Sequence, residues 1–300
     1  MTTPDHLPPA VPGPDGSVVL DHLAALAAAQ RAFAEVLDRV DLTAPVPGCA
    51  PWTVTDLALH LGGVHRWAAS MARGVEADDA DPTSPRESAA LRAFYTEQAA
   101  LLRDTLAEVG TEAPALTLVG PGPAGFWRRR QLHETLVHLV DLERAAAAGG
   151  PDTGSRAGTG TGTEMSTGAS VGGDDVRVPD VWADTVDEVV TVMAPRQVRL
   201  GRTPALGRPV ALAATDTART WVLGGDPDMS DGPGGTDDTG ATGATGVAEA
   251  TGTTVAATVH GPARLLALLV WGRLGADHPG LRVTGERAAL DEVLAGRLTP

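Results

Sequence analysis

Two short stretches of this 300-residue chain hold half of its eight histidines: His60-Leu61-Gly62-Gly63-Val64-His65 and His133-Glu134-Thr135-Leu136-Val137-His138. Imidazole and carboxylate are standard protein ligands for divalent cations such as zinc. On a helix, positions four apart lie about 40° apart around the axis and positions five apart about 140°. Glu134 and His138 therefore share a face, whereas His133 and His138 do not. The same spacing excludes the metalloprotease helix, which needs two histidines four apart. In the other stretch, His60 shares a stripe with Leu57, Leu61 and Val64. His60, Glu134 and His138 together make a set of two imidazoles and one carboxylate. Three protein ligands leave a coordination position open, as in catalytic rather than structural zinc. The plain alternative is a Glu–His pair on a solvated helix face, a common pattern, and spacing does not separate the two.

A shared ion requires two helices side by side. Apolar residues at helical spacing predict four helices in the first half: Ser17 to Val40, Trp52 to Met71, Ser84 to Val109 and Phe126 to Ala148. Thr53 is placed to cap the second, with Asp56 in its first turn. The third carries Leu91, Phe94, Leu101, Leu102 and Leu106 on one stripe, and Gly149-Gly150-Pro151 stops the fourth. With no convincing strand between them, the four predict a bundle. The second half is mixed: a helix over Val178 to Met193 ending at Pro195, then strands at Val210 to Ala213, Thr220 to Leu223 and Thr254 to His260. A buried helix over Pro262 to Leu274, a strand at Leu281 to Val283 and a helix over Glu286 to Leu294 complete it. The expected fold class is a two-domain α+β protein: a four-helix bundle over 17–148 and a smaller α+β domain over 176–298. Gly149 to Gly173 and Gly234 to Thr254 are low-complexity runs of Gly, Thr, Ser and Ala, expected to form a flexible linker (149–175) and an expanded loop (226–254).

Net charge is −15, with a sequence pI of about 4.8. That balance argues against nucleic acid and anionic membranes as partners, since both are polyanions. All 23 basic residues are arginine, and Lys, Asn and Ile are absent, which points to a GC-rich bacterial genome. The single cysteine, Cys49, excludes an internal disulfide framework and any thiolate metal cluster; a buried inert thiol is the expectation over a redox one. No apolar run approaches the ~20 residues of a membrane helix, and Met1 to Gly16 lacks a signal-peptide pattern. The expected location is the cytoplasm.

Pro47-Gly48-Cys49-Ala50-Pro51-Trp52-Thr53-Val54, continuing through Asp56-Leu57, His60-Leu61-Gly62 and His65-Arg66-Trp67, resembles the second-helix motif of the mycothiol-dependent maleylpyruvate isomerase family. Arg129-Arg130 followed by His133-Glu134-Thr135 and Val137-His138 resembles its fourth-helix motif. His260-Gly261-Pro262-Ala263 and Leu269-Val270-Trp271-Gly272-Arg273 resemble a strand-to-helix segment of the family's smaller domain. The resemblance implies a metal-binding bundle of the DinB-like superfamily, with ligands at His60, Glu134 and His138. It also implies a divalent metal (usually zinc) that binds the thiol of mycothiol as cosubstrate, and isomerisation or S-transfer on a small electrophile. In the isomerase reaction the thiolate adds to a cis double bond, rotation follows, and elimination releases the trans product. A non-catalytic metal- or ligand-binding protein of the same fold, or a hydrolase using metal-activated water, are the alternatives. Many relatives read His-Arg-Trp-Asp after the last ligand. Here His138-Leu139-Val140-Asp141 lacks the Arg and Trp, which bears on substrate identity more than on the metal.

The remaining polar residues have two readings each. His65 and His133 are second-shell or acid–base groups, or lie on helix flanks away from the ligands, the favoured reading. Asp141 either orients a ligand or is solvated. Arg273 either offsets a helix dipole or, as the catalytic candidate, grips a substrate carboxylate. Arg128-Arg129-Arg130 reads as a solvated face or an attractor of anions. Gly120-Pro121-Gly122-Pro123-Ala124-Gly125 matches the dinucleotide glycine pattern only formally, because its prolines remove the donors a pyrophosphate needs; a loop is expected there.

Overall fold

The computed structural model describes residues 20–76, 85–148, 178–225 and 254–300 and divides the chain into two compact units, Met1–Arg177 and Val178–Pro300. The expected linker at 149–175 and most of the expected loop at 226–254 lie outside the described residues, as do Ser17 and Ser84.

The first unit is built from α1 (His22–Leu37), α2 (Val54–Ala72), α3 (Ser88–Val109) and α4 (Gly125–Ala148). Helix α1 starts at Asp21, whose carboxylate accepts from the Leu23 and Ala24 amides, and not at Ser17. Helix α2 opens with a capping box: Asp56 accepts from the Thr53 amide, and Thr53 Oγ1 accepts from the Asp56 amide. Such a cap stabilises a helix start by about 1 kcal/mol. Hydrogen bonds from the Thr53 backbone and side chain, with Arg86 beyond, hold the Asp56 carboxyl below its ordinary range. The acid is therefore engaged at the helix start.

The helices pack as a four-helix bundle, α1 against α3 and α4, and α2 against α3 and α4. Phe33 and Leu37, Leu57 and Leu61, Leu91 and Tyr95, and Leu139 and Leu142 enter one buried cluster from the four helices in turn. Burying each such side chain contributes about 1.5–3 kcal/mol. Leu101 does not join the α3 stripe; it is 39% exposed, one step of about 100° from the buried Leu102.

Two short strands stand where none was expected. β1 (Pro114–Thr117) and β2 (Gly120–Pro123) form an antiparallel hairpin, pairing Thr117 with Gly120 and Pro114 with Pro123. Prolines within a strand argue against pairing, but only on the side where the donor is needed. The Ala124 amide donates to Ala113 O at 2.8 Å, so strand alternation turns the nitrogens of Pro121 and Pro123 away from β1. The glycine-and-proline run is thus the edge strand leading into α4, correcting the expected loop.

In the second unit, α5 (Pro179–Glu188) continues through one wide π-turn (Val189–Met193) into α6 (Ala194–Arg199). The helix does not stop at Pro195. A proline ring collides with the carbonyl four residues back in a regular helix, and the wider turn, in which the Ala194 amide donates to Val189 O, avoids that collision. A four-stranded sheet follows, in the order β4 (Thr220–Leu223), β3 (Val210–Ala214), β5 (Ala257–Gly261), β6 (Arg282–Gly285). Its central pair, β3 and β5, is parallel, with Val210 beside Ala257 and Ala214 beside Gly261; the outer pairs are antiparallel. Helices α7 (Ala263–Val270) and α8 (Arg287–Ala295) pack on β3 and β5, and α7 also on α5. Helix α7 ends four residues before the expected Leu274.

Candidate metal centre

The bundle brings the α2 and α4 histidines to one carboxylate oxygen. His60 Nε2 lies 3.3 Å from Glu134 Oε1, and His138 Nε2 lies 3.2 Å from the same atom. The ligand atoms of the three residues all lie within 4.8 Å of one another. The two rings meet edge to face, with centroids 5.1 Å apart. This follows from the spacing: four residues place Glu134 and His138 on one turn-to-turn line of α4, and the capped start of α2 faces them with His60. Two imidazole nitrogens and a carboxylate oxygen converging within that distance fit a divalent cation of the zinc type.

Exposure is graded across the set. The His60 side chain is 32% exposed, Glu134 13% and His138 5%. The His60 edge of the set therefore meets solvent while the His138 edge is buried.

Each α4 member of the set is held from behind. Arg130, only 3% exposed, pairs through Nη2 with Glu134 Oε2 and leaves Oε1 toward the histidines. Asp141, with no exposed side-chain area, accepts from His138 Nδ1 at 3.0 Å. Such partners fix the ring orientation and the tautomer of a metal-binding histidine. Burial pushes the Glu134 carboxyl up, but Arg130 and the hydrogen bonds from His138 and His60 outweigh it and hold the group well below the usual carboxylate range. Burial likewise disfavours charge on His138, yet Asp141, Cys49 and Glu134 hold its pKa well above that of a free imidazole.

The segment before α2 closes the site. Its 3₁₀ turn (Pro47–Cys49) contacts α4, and Trp52 lays its ring against His60, centroids 4.8 Å apart, and more distantly against His138 at 6.4 Å. Cys49 is half-buried and bonded, Sγ to Asp141 Oδ2 at 3.3 Å, and not an inert core thiol.

The other histidines of the two stretches stay out of the ligand set. His65 and His133 are fully buried. His65 Nδ1 meets Gln131 Oε1 at 2.9 Å, and burial drives its pKa down to about 4. The arginine run divides: Arg130 turns inward, while Arg128 donates to Leu106 O at 2.7 Å. Arg273 belongs to the second unit, just past the end of α7, where Nη1 donates to Trp271 O at 2.9 Å. That bond satisfies a carbonyl at a helix C-terminus, as the dipole reading expects. The roles of Arg130, Trp52 and Cys49 were not foreseen. For Arg130 a signal existed, since it precedes Glu134 by four residues and therefore shares its face.

A family model described as the mycothiol maleylpyruvate isomerase N-terminal domain matches residues 23–143. Two solved structures share the fold. A histidine-to-alanine mutant of the mycothiol-dependent maleylpyruvate isomerase is 15% identical, with a TM-score of 0.56 over 89% of this chain and 93% of that chain. A second structure of the mycothiol-dependent maleylpyruvate isomerase gives 15% identity and a TM-score of 0.54 over the same shares. No curated protein matches the chain in sequence.

Proposed function

We propose that this chain, whose residues 23–143 match the family model of the mycothiol maleylpyruvate isomerase N-terminal domain, is a metal-dependent enzyme that uses a low-molecular-weight thiol, mycothiol, on a small electrophilic substrate. The reaction class is isomerisation of a cis double bond or S-transfer. The observation that carries the reading is the convergence of His60, Glu134 and His138 on one point with one edge open to solvent. A divalent ion there, zinc by donor type, would supply Lewis acidity that lowers a thiol's pKa from about 8.5 enough to make thiolate abundant at neutral pH.

The chain's own residues do the rest. Arg130 keeps Glu134 ionised and turned to the ligand point, and Asp141 orients His138. Trp52 walls the site beside His60, excluding water from one side. For Arg273, in the second unit, a substrate-carboxylate role is proposed on the resemblance of its segment to the family. An Arg273→Met variant with raised KM and unchanged metal content would support that role; unchanged kinetics would leave only the helix-end role.

Elemental analysis and turnover test the reading together. One divalent ion per chain is expected in the purified protein and is lost in His138→Ala. Maleylpyruvate, or a related electrophile, should turn over only when mycothiol is added. Turnover without thiol would instead indicate a metal-activated water. A stoichiometric ion with no turnover across a thiol-by-electrophile screen would leave a binding protein.

A further inference from the structure

Asp141, which orients His138, has a further partner that the chemistry above does not use. Asp141 Oδ2 accepts from His138 Nδ1 at 3.0 Å, and the same oxygen lies 3.3 Å from Cys49 Sγ. Asp141 is fully enclosed, and a buried carboxylate must be met by donors. Two of those donors are the imidazole N–H and the thiol S–H.

The two ring nitrogens of an imidazole point in diverging directions. Nε2 of His138 faces Glu134, whereas Nδ1 faces Asp141 and, past it, Cys49. The thiol thus sits on the far side of the ring from the ligand point. Cys49 is presented by the turn before α2, which is tied by the Cys49 amide to Val46 O at 3.0 Å and by the Trp52 amide to Cys49 O at 2.9 Å. The same turn delivers Trp52 to the faces of His60 and His138. Sequence positions before α2 therefore reach both imidazoles of the set, one through ring contact and the other through Asp141.

We propose that Cys49 and Asp141 are positioning residues of the metal centre, a thiol–carboxylate–imidazole chain that locks His138 with its proton on Nδ1 and its Nε2 lone pair aimed at the cation. This inference rests on the metal reading of the preceding subsection. Cys49, His138 and Asp141 also bring three potential ligand atoms within 4.8 Å of one another; Cys49 and Asp141 take the positioning role because they meet His138 on its Nδ1 side, away from the His60–Glu134 point.

Cobalt(II) titration of the wild-type full chain, Cys49→Ala, Cys49→Ser and Asp141→Asn tests the chain. Asp141→Asn should weaken cobalt binding by about 10–100-fold, the usual cost of losing a ligand's outer partner. Cys49→Ala should weaken it several-fold, and Cys49→Ser, whose hydroxyl also donates, should restore it. The wild-type spectrum should show cobalt d–d bands without a thiolate-to-cobalt charge-transfer band, and ¹⁵N NMR of the zinc-loaded protein should report His138 protonated at Nδ1. Wild-type affinity in both Cys49→Ala and Asp141→Asn would overturn the inference alone, with the metal reading intact. A charge-transfer band lost in Cys49→Ala would also overturn it, by making Cys49 a ligand. Failure of the wild-type chain to bind cobalt or zinc would overturn the metal reading and this inference together.

Discussion

Arg130 carries a charge that composition alone would place in solvent, yet its side chain is 3% exposed and pairs with Glu134. Removing one member of a buried pair leaves the other uncompensated, which commonly costs 3–5 kcal/mol. Arg130→Met should therefore lower metal-free stability by about 3 kcal/mol, the low end of that range, because His138 and His60 still bond Glu134. The loss should shrink when zinc is present, since the cation balances the same carboxylate; urea unfolding with and without zinc measures both. His65 gives a pH signature of its own. Burial lowers its folded pKa to about 4 from 6.5, so between those values the unfolded state binds the extra proton. The stability it contributes is present above about pH 6.5 and is lost as pH falls toward 4, amounting to about 3 kcal/mol. His138, with its raised pKa, acts in the opposite sense, adding stability at low pH that is lost as pH rises through its folded value. The comparison is accordingly between wild type and His65→Gln: unfolding midpoints from pH 7 to pH 4.5 should fall more steeply in the wild type.

At the level of elements, the site depends on how closely α2 approaches its neighbours. A Cβ placed on Gly62 would lie 2.5 Å from Phe94 Cε1, within the α2–α3 contact. Gly62→Ala should destabilise the bundle by about 1–3 kcal/mol through overpacking, offsetting any gain in helix propensity. Because Gly62 is two residues from His60, the displaced helix should also bind zinc more weakly. Gly62→Ala combined with Phe94→Leu should recover part of both losses; recovery of neither would show that the Phe94 ring is not what limits the approach. The element boundaries were legible where a local signal marked them. The cap at Thr53, with Asp56 in the first turn, is of this kind. The β1–β2 hairpin was not, because prolines on the unpaired side of an edge strand look like loop until the partner strand is known.

For the whole molecule, the proposed ligands and, among the described residues, the groups that hold them come from residues 49–141, inside the first unit. A chain ending at residue 148 should therefore keep the helical far-UV signature of the bundle. It should bind zinc with a Kd within a factor of about three of the full chain, as groups with no shared partners act nearly independently. A large loss of affinity would mean that the second unit contributes to the centre. Among the described residues no helix is long and apolar enough to cross a membrane.

The sequence alone determined what is local. A rotation of about 100° per residue places Glu134 and His138 on one face and excludes His133, whatever surrounds α4. Alternating short strands and helices likewise announced an α+β second half. Tertiary structure decided everything that depends on the rotation of one helix against another, which no single helix encodes. It decided that His60 meets Glu134, that Arg130 turns inward while Arg128 reaches a backbone carbonyl, and that Asp141 is a buried partner of His138 and not a solvated acid. It also decided that a cysteine 92 residues away in sequence touches that acid. Such contacts are set by the packing of side chains from three or four helices at once, and their partners have no fixed spacing along the chain.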